Sequence, residues 1–157
     1  MVADDGAAMQ AVAADPEIWA VHPANDRWQK PAFTRFFDDM LASGCALTIT
    51  EAASGRVIGA SRYDRLRCLD GEVEIGWTFL ERAHWGGITN RAVKRLMISH
   101  ALRHFTSAIF IVGEENGRSR RAMEKIGGRL IPQRYFNFTM SGVPTRHVVF
   151  AVDQPLP

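Results

Sequence analysis

The chain has 157 residues and a formal net charge of +2, with 19 Lys and Arg against 17 Asp and Glu. Apolar residues make up 46% and charged residues 23%, which excludes a disordered, collagen-like or low-complexity chain. The length predicts one domain over residues 1–157 with a sizeable core. Cys45 and Cys68 supply neither a metal-ligand spacing nor a disulfide framework, so no metal is expected. No apolar run reaches the roughly 18–20 residues of a membrane helix, and acids stand at Asp4 and Asp5 where a secretory leader carries bases. The expected setting is cytoplasmic, away from membranes. Charge is uneven along the chain. Residues 1–60 hold four bases against eight acids, and residues 61–157 fifteen against nine. The second half therefore either faces an anionic partner or is simply well solvated.

An Ala-rich stretch over 3–14 predicts a helix, and 16–30 a loop with short helical turns. Phe33, Phe36, Phe37 and Met40 recur at i, i+3, i+4 and i+7, predicting an amphipathic helix over 32–41 that Ser43-Gly44 ends. Strands are expected at 45–50, 57–63 and 72–80. In the third, Val73, Ile75, Trp77 and Phe79 alternate with Glu72, Glu74, Gly76 and Thr78, predicting two distinct faces. A helix from about Asn90 to His104 is expected to bury Val93, Leu96, Met97, His100 and Ala101. The all-apolar run 108–112 reads as a strand covered on both faces. Asn116 caps a helix that Gly127-Gly128 stops, and strands at about 129–139 and 145–152 close the chain around Ser141-Gly142. The fold class is α+β, a mixed sheet flanked by helices.

Two segments carry chemistry. Trp85-Gly86-Gly87-Ile88-Thr89-Asn90 lies between a strand and a helix, where adjacent glycines let backbone N–H groups converge on a phosphate. The same residues also suit a tight turn capped by Asn90. Further on, a buried strand leads into Asn116, Ser119 and the run Glu124-Lys125-Ile126-Gly127. This second pattern resembles the GNAT superfamily of acyl-CoA-dependent N-acyltransferases. The stretch Val73 to Leu80, followed by Trp85-Gly86-Gly87, Asn90 and Lys94, resembles the branch that acts on ribosomal-protein N-termini. The likeness runs from about residue 45 to 152. It implies a GNAT-like fold with acetyl-CoA as cosubstrate and an amine acceptor, either a protein N-terminus or a small molecule.

The resemblance implies cofactor contacts at Phe79, Leu80, Trp85, Gly86, Gly87, Ile88, Thr89, Asn90, Lys94, Asn116 and Ser119. Phe79 and Leu80 would act through backbone amides freed where the superfamily's strands splay. Lys94, Arg91, Arg120, Arg121 and Lys125 are candidates for the phosphates, or else solvated. The chain departs from the pattern at Ile88, where the loop usually has glycine, and at Met123, where a tyrosine often protonates the departing thiolate. The superfamily also places a strand before its first helix. Without that strand the sheet has an open edge, which invites a homodimer or cover by another segment.

Acyl transfer to an amine needs a neutral nucleophile, donors for the developing oxyanion and a proton for the thiolate. Glu74 is the candidate base, with Glu72 as rival; otherwise Glu74 pairs with Arg62 or Arg65. Ser119 is the candidate thiolate donor, or else bonds the helix backbone. An α-amine with pKa about 7.7–8 is neutral roughly a tenth of the time at pH 7, so a weak base suffices for it. The competing function is a non-catalytic acyl-CoA-binding regulatory module. A nucleic-acid role is disfavoured, because no basic-aromatic interleaving appears.

Overall fold

The structure, a computed structural model, describes residues 1–140 and 142–156. Ser141 of the expected closing turn lies outside the described residues, while Gly142 takes the left-handed φ of 78°. Helices α1 (Gly6–Ala13) and α2 (Lys30–Ala42) precede strands β1 (Ala46–Thr50), β2 (Val57–Asp64) and β3 (Glu72–Leu80). Helix α3 (Ile88–Ala101), strand β4 (Ser107–Gly113) and helix α4 (Gly117–Lys125) follow, then β5 (Arg129–Met140) and β6 (Val143–Val152). The strands form one six-stranded sheet, β1-β2-β3-β4-β6-β5, antiparallel except where β3 meets β4. This is the expected α+β mixed sheet.

A different helix pair packs on each face of the sheet. On one, α3 and α4 pack Met97, Ile98, Ala101 and Met123 against Val73, Ile75, Phe110 and Phe150. On the other, α1 and α2 bring Met9, Phe33, Phe36 and Phe37 against Ala46, Ala60 and Phe79. The α2 stripe was legible as a 3.6-residue period. Among the described residues no strand precedes α1. The N-terminal segment instead touches β1: the Met1 ammonium donates to the Ala46 carbonyl at 3.2 Å, and Thr48 Oγ1 donates to Asp5 at 2.5 Å.

Two local expectations are corrected. Trp77 takes φ 52°, and the β2–β3 register sets Trp77 and Thr78 together opposite Ser61. This β-bulge inverts the alternation beyond it. Trp77 and Phe79 therefore pack towards α1 and α2, away from Val73 and Ile75, and Thr78 turns towards α3. In α3 the buried stripe is Lys94, Met97, Ile98 and Ala101, at i, i+3, i+4 and i+7. Leu96 and His100 face outwards, so neither belongs to the core. Cys45 is exposed, whereas Cys68 is half-buried.

Candidate active site

Strands β3 and β4 pair only from Glu72–Ser107 to Glu74–Ile109. Beyond that point β4 continues against β6 while β3 stays with β2, so the two strands part. A cleft of about 590 Å³ opens in the gap. Its walls are the bulged end of β3, Phe110 to Gly113 of β4, the starts of α3 and α4, and the loop from Ile18 to Arg27. Arg27, Arg91, Lys94, Arg118, Arg121 and Lys125 line it, and no carboxylate does among the described residues. Five of these six belong to the basic second half of the chain.

The loop after β3 brings the two sequence motifs together. Trp85 Nε1 donates to the Leu80 carbonyl at 2.9 Å, and the Arg118 guanidinium lies 4.1 Å over the Trp85 ring. Arg118 also donates to the carbonyls of Glu17 and Ile18, tying α4 to the N-terminal loop. Helix α3 begins at Ile88, with Gly87 as its N-cap and no side chain satisfying the first N–H groups. Asn90 is therefore inside the helix and does not cap it. Gly86 has φ +68°, and a Cβ on Gly86 or Gly87 would meet nothing within 4 Å. The backbone of this loop is open to an approaching ligand. Ile88 is exposed, and Thr89 Oγ1 lies 3.3 Å from His84 Nδ1.

Asn116 is buried, and its Oδ1 accepts from Ser119 N at 3.1 Å, the N-cap expected from sequence. Both residues line the cleft. Phe79 and Leu80 line it as well, with Phe79 packed against Trp19, Phe33 and Phe36.

Glu74 differs from the expectation of an available base. It is 3% exposed and does not line this cleft. Arg67 holds both carboxylate oxygens, at 2.8 to 3.0 Å, rather than Arg62 or Arg65. Burial still pushes the Glu74 carboxyl above its ordinary range against the pull of Arg67. Glu72 is likewise held, by Arg134 at 2.6 and 2.8 Å.

Lys94 does not reach outwards at the helix start. It is 4% exposed, and its Nζ donates to Thr78 Oγ1 at 2.8 Å, 5.0 Å from the Phe110 ring centre. Burial alone pulls its pKa down to about 7.

Two imidazoles were missed at the sequence level. His22 accepts from Ala24 N on Nδ1 at 2.9 Å, and burial lowers its pKa to about 3. His147 lines the cleft from β6, and its buried Nδ1 has no hydrogen-bond partner among the described residues. Burial shifts it below the usual histidine value. Neither sits in a motif; only the chain crossing brings them together. Among the described residues no group of three or more potential ligands could hold a metal, and no helix is long and apolar enough to cross a membrane.

The architecture matches solved structures closely, at identities that speak for fold alone. A GCN5-related N-acetyltransferase from Brucella melitensis aligns with TM-score 0.78 and 20% identity, over 94% of this chain and 70% of that one. A GNAT-family acetyltransferase from Bacillus anthracis gives 0.74 and 16%, over 95% and 89%. A spermidine N-acetyltransferase from Vibrio cholerae, solved with CoA and spermine, gives 0.71 and 10%, over 97% and 91%. No curated protein matches the chain. The family model of the acetyltransferase (GNAT) domain matches residues 1–129, and the chain belongs to that family.

Proposed function

We propose that this protein transfers an acetyl group from acetyl-CoA to a primary amine by direct attack, with no covalent enzyme intermediate. The observation that carries the reading is the cleft between β3 and β4, lined by six basic side chains and, among the described residues, no carboxylate, and ending on the uncapped start of α3. These residues fit a long, multiply phosphorylated ligand. Gly86, Gly87 and the first N–H groups of α3 face the pyrophosphate, with Arg91, Arg121 and Lys125 near it. The β3 backbone beyond Glu74, which β4 leaves unpaired, and Asn116 take the pantetheine arm. Acetyl-CoA supplies an activated acyl thioester.

The acceptor enters from the other side of the bulge. A second cleft of about 860 Å³ is lined by Arg27, Arg35, Phe36, Asp39, Arg62 and Trp77 among others. Arg27 and Trp77 border both cavities, and the Arg27 guanidinium stacks 4.2 Å over Phe36. His147 lines the first cleft, burial holds its imidazole below the usual histidine value, and it takes the proton shed by the attacking amine. His22 is too weak a base for that role at about 3. Protein N-termini and small amines both fit a wall of mixed charge, as does the polyamine named for the Vibrio cholerae neighbour.

The reading is tested by titrating acetyl-CoA calorimetrically and measuring CoA release with a panel of α-amines, polyamines and N-terminal peptides. Saturable binding with release for one class supports it. Binding without release for any class favours the non-catalytic module, for which Met123 in the usual tyrosine's place is the motive. Absence of binding overturns both.

A further inference from the structure

A buried lysine without a carboxylate is an expensive feature in a core stripe. Position 94 falls where the spacing with Met97, Ile98 and Ala101 calls for an apolar side chain. The ammonium is buried, yet no carboxylate forms an ion pair with it among the described residues. Its one hydrogen bond goes to Thr78 Oγ1, which in turn lies 2.7 Å from Ser61 Oγ. Thr78 belongs to β3 and Phe110 to β4, so the Nζ sits in the gap where the two strands separate.

We propose that Lys94 is the proton donor to the thiolate that leaves when the acyl group is transferred. This rests on the acetyl-CoA reading above. As the carbon–sulfur bond breaks, sulfur keeps the bonding pair and takes a proton from Lys94 Nζ. The new amide nitrogen sheds its surplus proton to His147 or water, and solvent water reprotonates Lys94. The direction is chemically sound. An ordinary lysine at about 10.4 holds its proton against a thiolate near 8.5. Burial reverses that order, since Lys94 sits at about 7. Ser119, by contrast, carries no proton that titrates in the physiological range.

The ionisable groups facing the same cavity are His22 and Arg27 from the loop, Arg91 from α3, Arg118, Arg121 and Lys125 from α4, and His147 from β6. None is an acid that would hold Lys94 charged.

The test compares CoA with desulfo-CoA on the wild type and on Lys94→Met, which keeps an unbranched stem of similar length. NMR titration of the Lys94 ammonium should show its pKa rising by about one unit with CoA and not with desulfo-CoA. Calorimetry should show CoA binding about threefold or more tighter than desulfo-CoA in the wild type, and equally in Lys94→Met. With the amine that gives release, kcat at pH 7 should fall about tenfold or more in Lys94→Met. Equal binding of the two ligands by the wild type, with an unmoved Lys94 titration, overturns the proposal while leaving the acetyl-CoA reading intact. Failure to bind either ligand overturns both.

Discussion

The two halves of β3 treat charge in opposite ways. In its first half Glu72 and Glu74 project from a stretch zipped to β4 and are locked by Arg134 and Arg67. In its second half the bulge turns Thr78 over, β4 departs, and the charge beneath is Lys94 with no acid beside it. A carboxylate matched by a bidentate guanidinium is neutralised where it stands and contributes to order. A desolvated ammonium left unmatched destabilises the fold, so its retention calls for a role in the cleft. Within one strand, the most conspicuous acid is structural and the least conspicuous base is the better candidate for chemistry.

The strongest way to break this comparison is through the first half. Arg67→Met strands Glu74 at 3% exposure. Removing one partner of a buried pair costs about 3–5 kcal/mol. At about 2–4 °C for each kcal/mol in a chain of this size, Tm should drop by roughly 6–20 °C in a thermal melt. Adding Glu74→Leu to Arg67→Met should recover most of the loss. Glu74→Gln should keep turnover within a few-fold. A hundredfold loss in Glu74→Gln, with Tm and acetyl-CoA affinity intact, would restore Glu74 as the base.

The second half gives the mirror experiment. Lys94 has a lowered folded pKa, about 7 against roughly 10.4 unfolded, so the unfolded chain binds more protons between those values. Wild-type stability should therefore rise with pH from about 7 towards 10, relative to a variant lacking the group. Lys94→Met should melt higher than wild type at pH 6, by about 4–8 °C if the unpaired charge costs ~2 kcal/mol. That advantage should shrink as pH rises to 9. A constant difference across pH would mean that Lys94 is not buried as a charge.

Much of this arrangement was legible in the chain. The α2 stripe, the buried β4 run, the Asn116 cap and the order of strands and helices all follow from periodicity and turn residues. What was not legible is where the period changes. Nothing in Glu72-Val73-Glu74-Ile75-Gly76-Trp77-Thr78-Phe79 marks Trp77 as a bulge, since the apolar alternation runs unbroken through it. The left-handed φ of a tryptophan is imposed by tertiary packing, with Arg62 stacked 4.0 Å over its ring. The burial of Lys94 is hidden for a related reason: its charge points to the phosphates or to solvent, and the expected stripe runs through Leu96 and His100. The i, i+3, i+4, i+7 spacing with Met97, Ile98 and Ala101 was the signal that could have found it. His22 and His147 lie 125 positions apart in the chain, and no spacing rule connects them.

The glycine loop sharpens the comparison from the ligand's side. Gly87 has φ −98°, and an added Cβ would meet nothing within 4 Å. Gly87→Val should therefore fold with Tm near wild type, while a branched side chain blocks backbone approach to the pyrophosphate. Acetyl-CoA affinity should weaken about tenfold, roughly 1.4 kcal/mol, by calorimetry. Gly86 would be a poorer probe, because its φ of +68° strains any other residue. Unchanged affinity in Gly87→Val would move the phosphates away from this loop.

The smallest expected effect is at Ser119. Its backbone N–H donates to Asn116 Oδ1, an interaction that alanine keeps. Only the hydroxyl is lost in Ser119→Ala, so α4 should retain its cap and Tm should hold within about 1 °C. If Lys94 gives the thiolate its proton, turnover in Ser119→Ala should fall by less than about fivefold, under ~1 kcal/mol in barrier. A hundredfold loss with affinity preserved would instead make Ser119 the donor. Lys94→Met would then show little kinetic defect, and the unmatched ammonium under Thr78 would act by shaping the bulge.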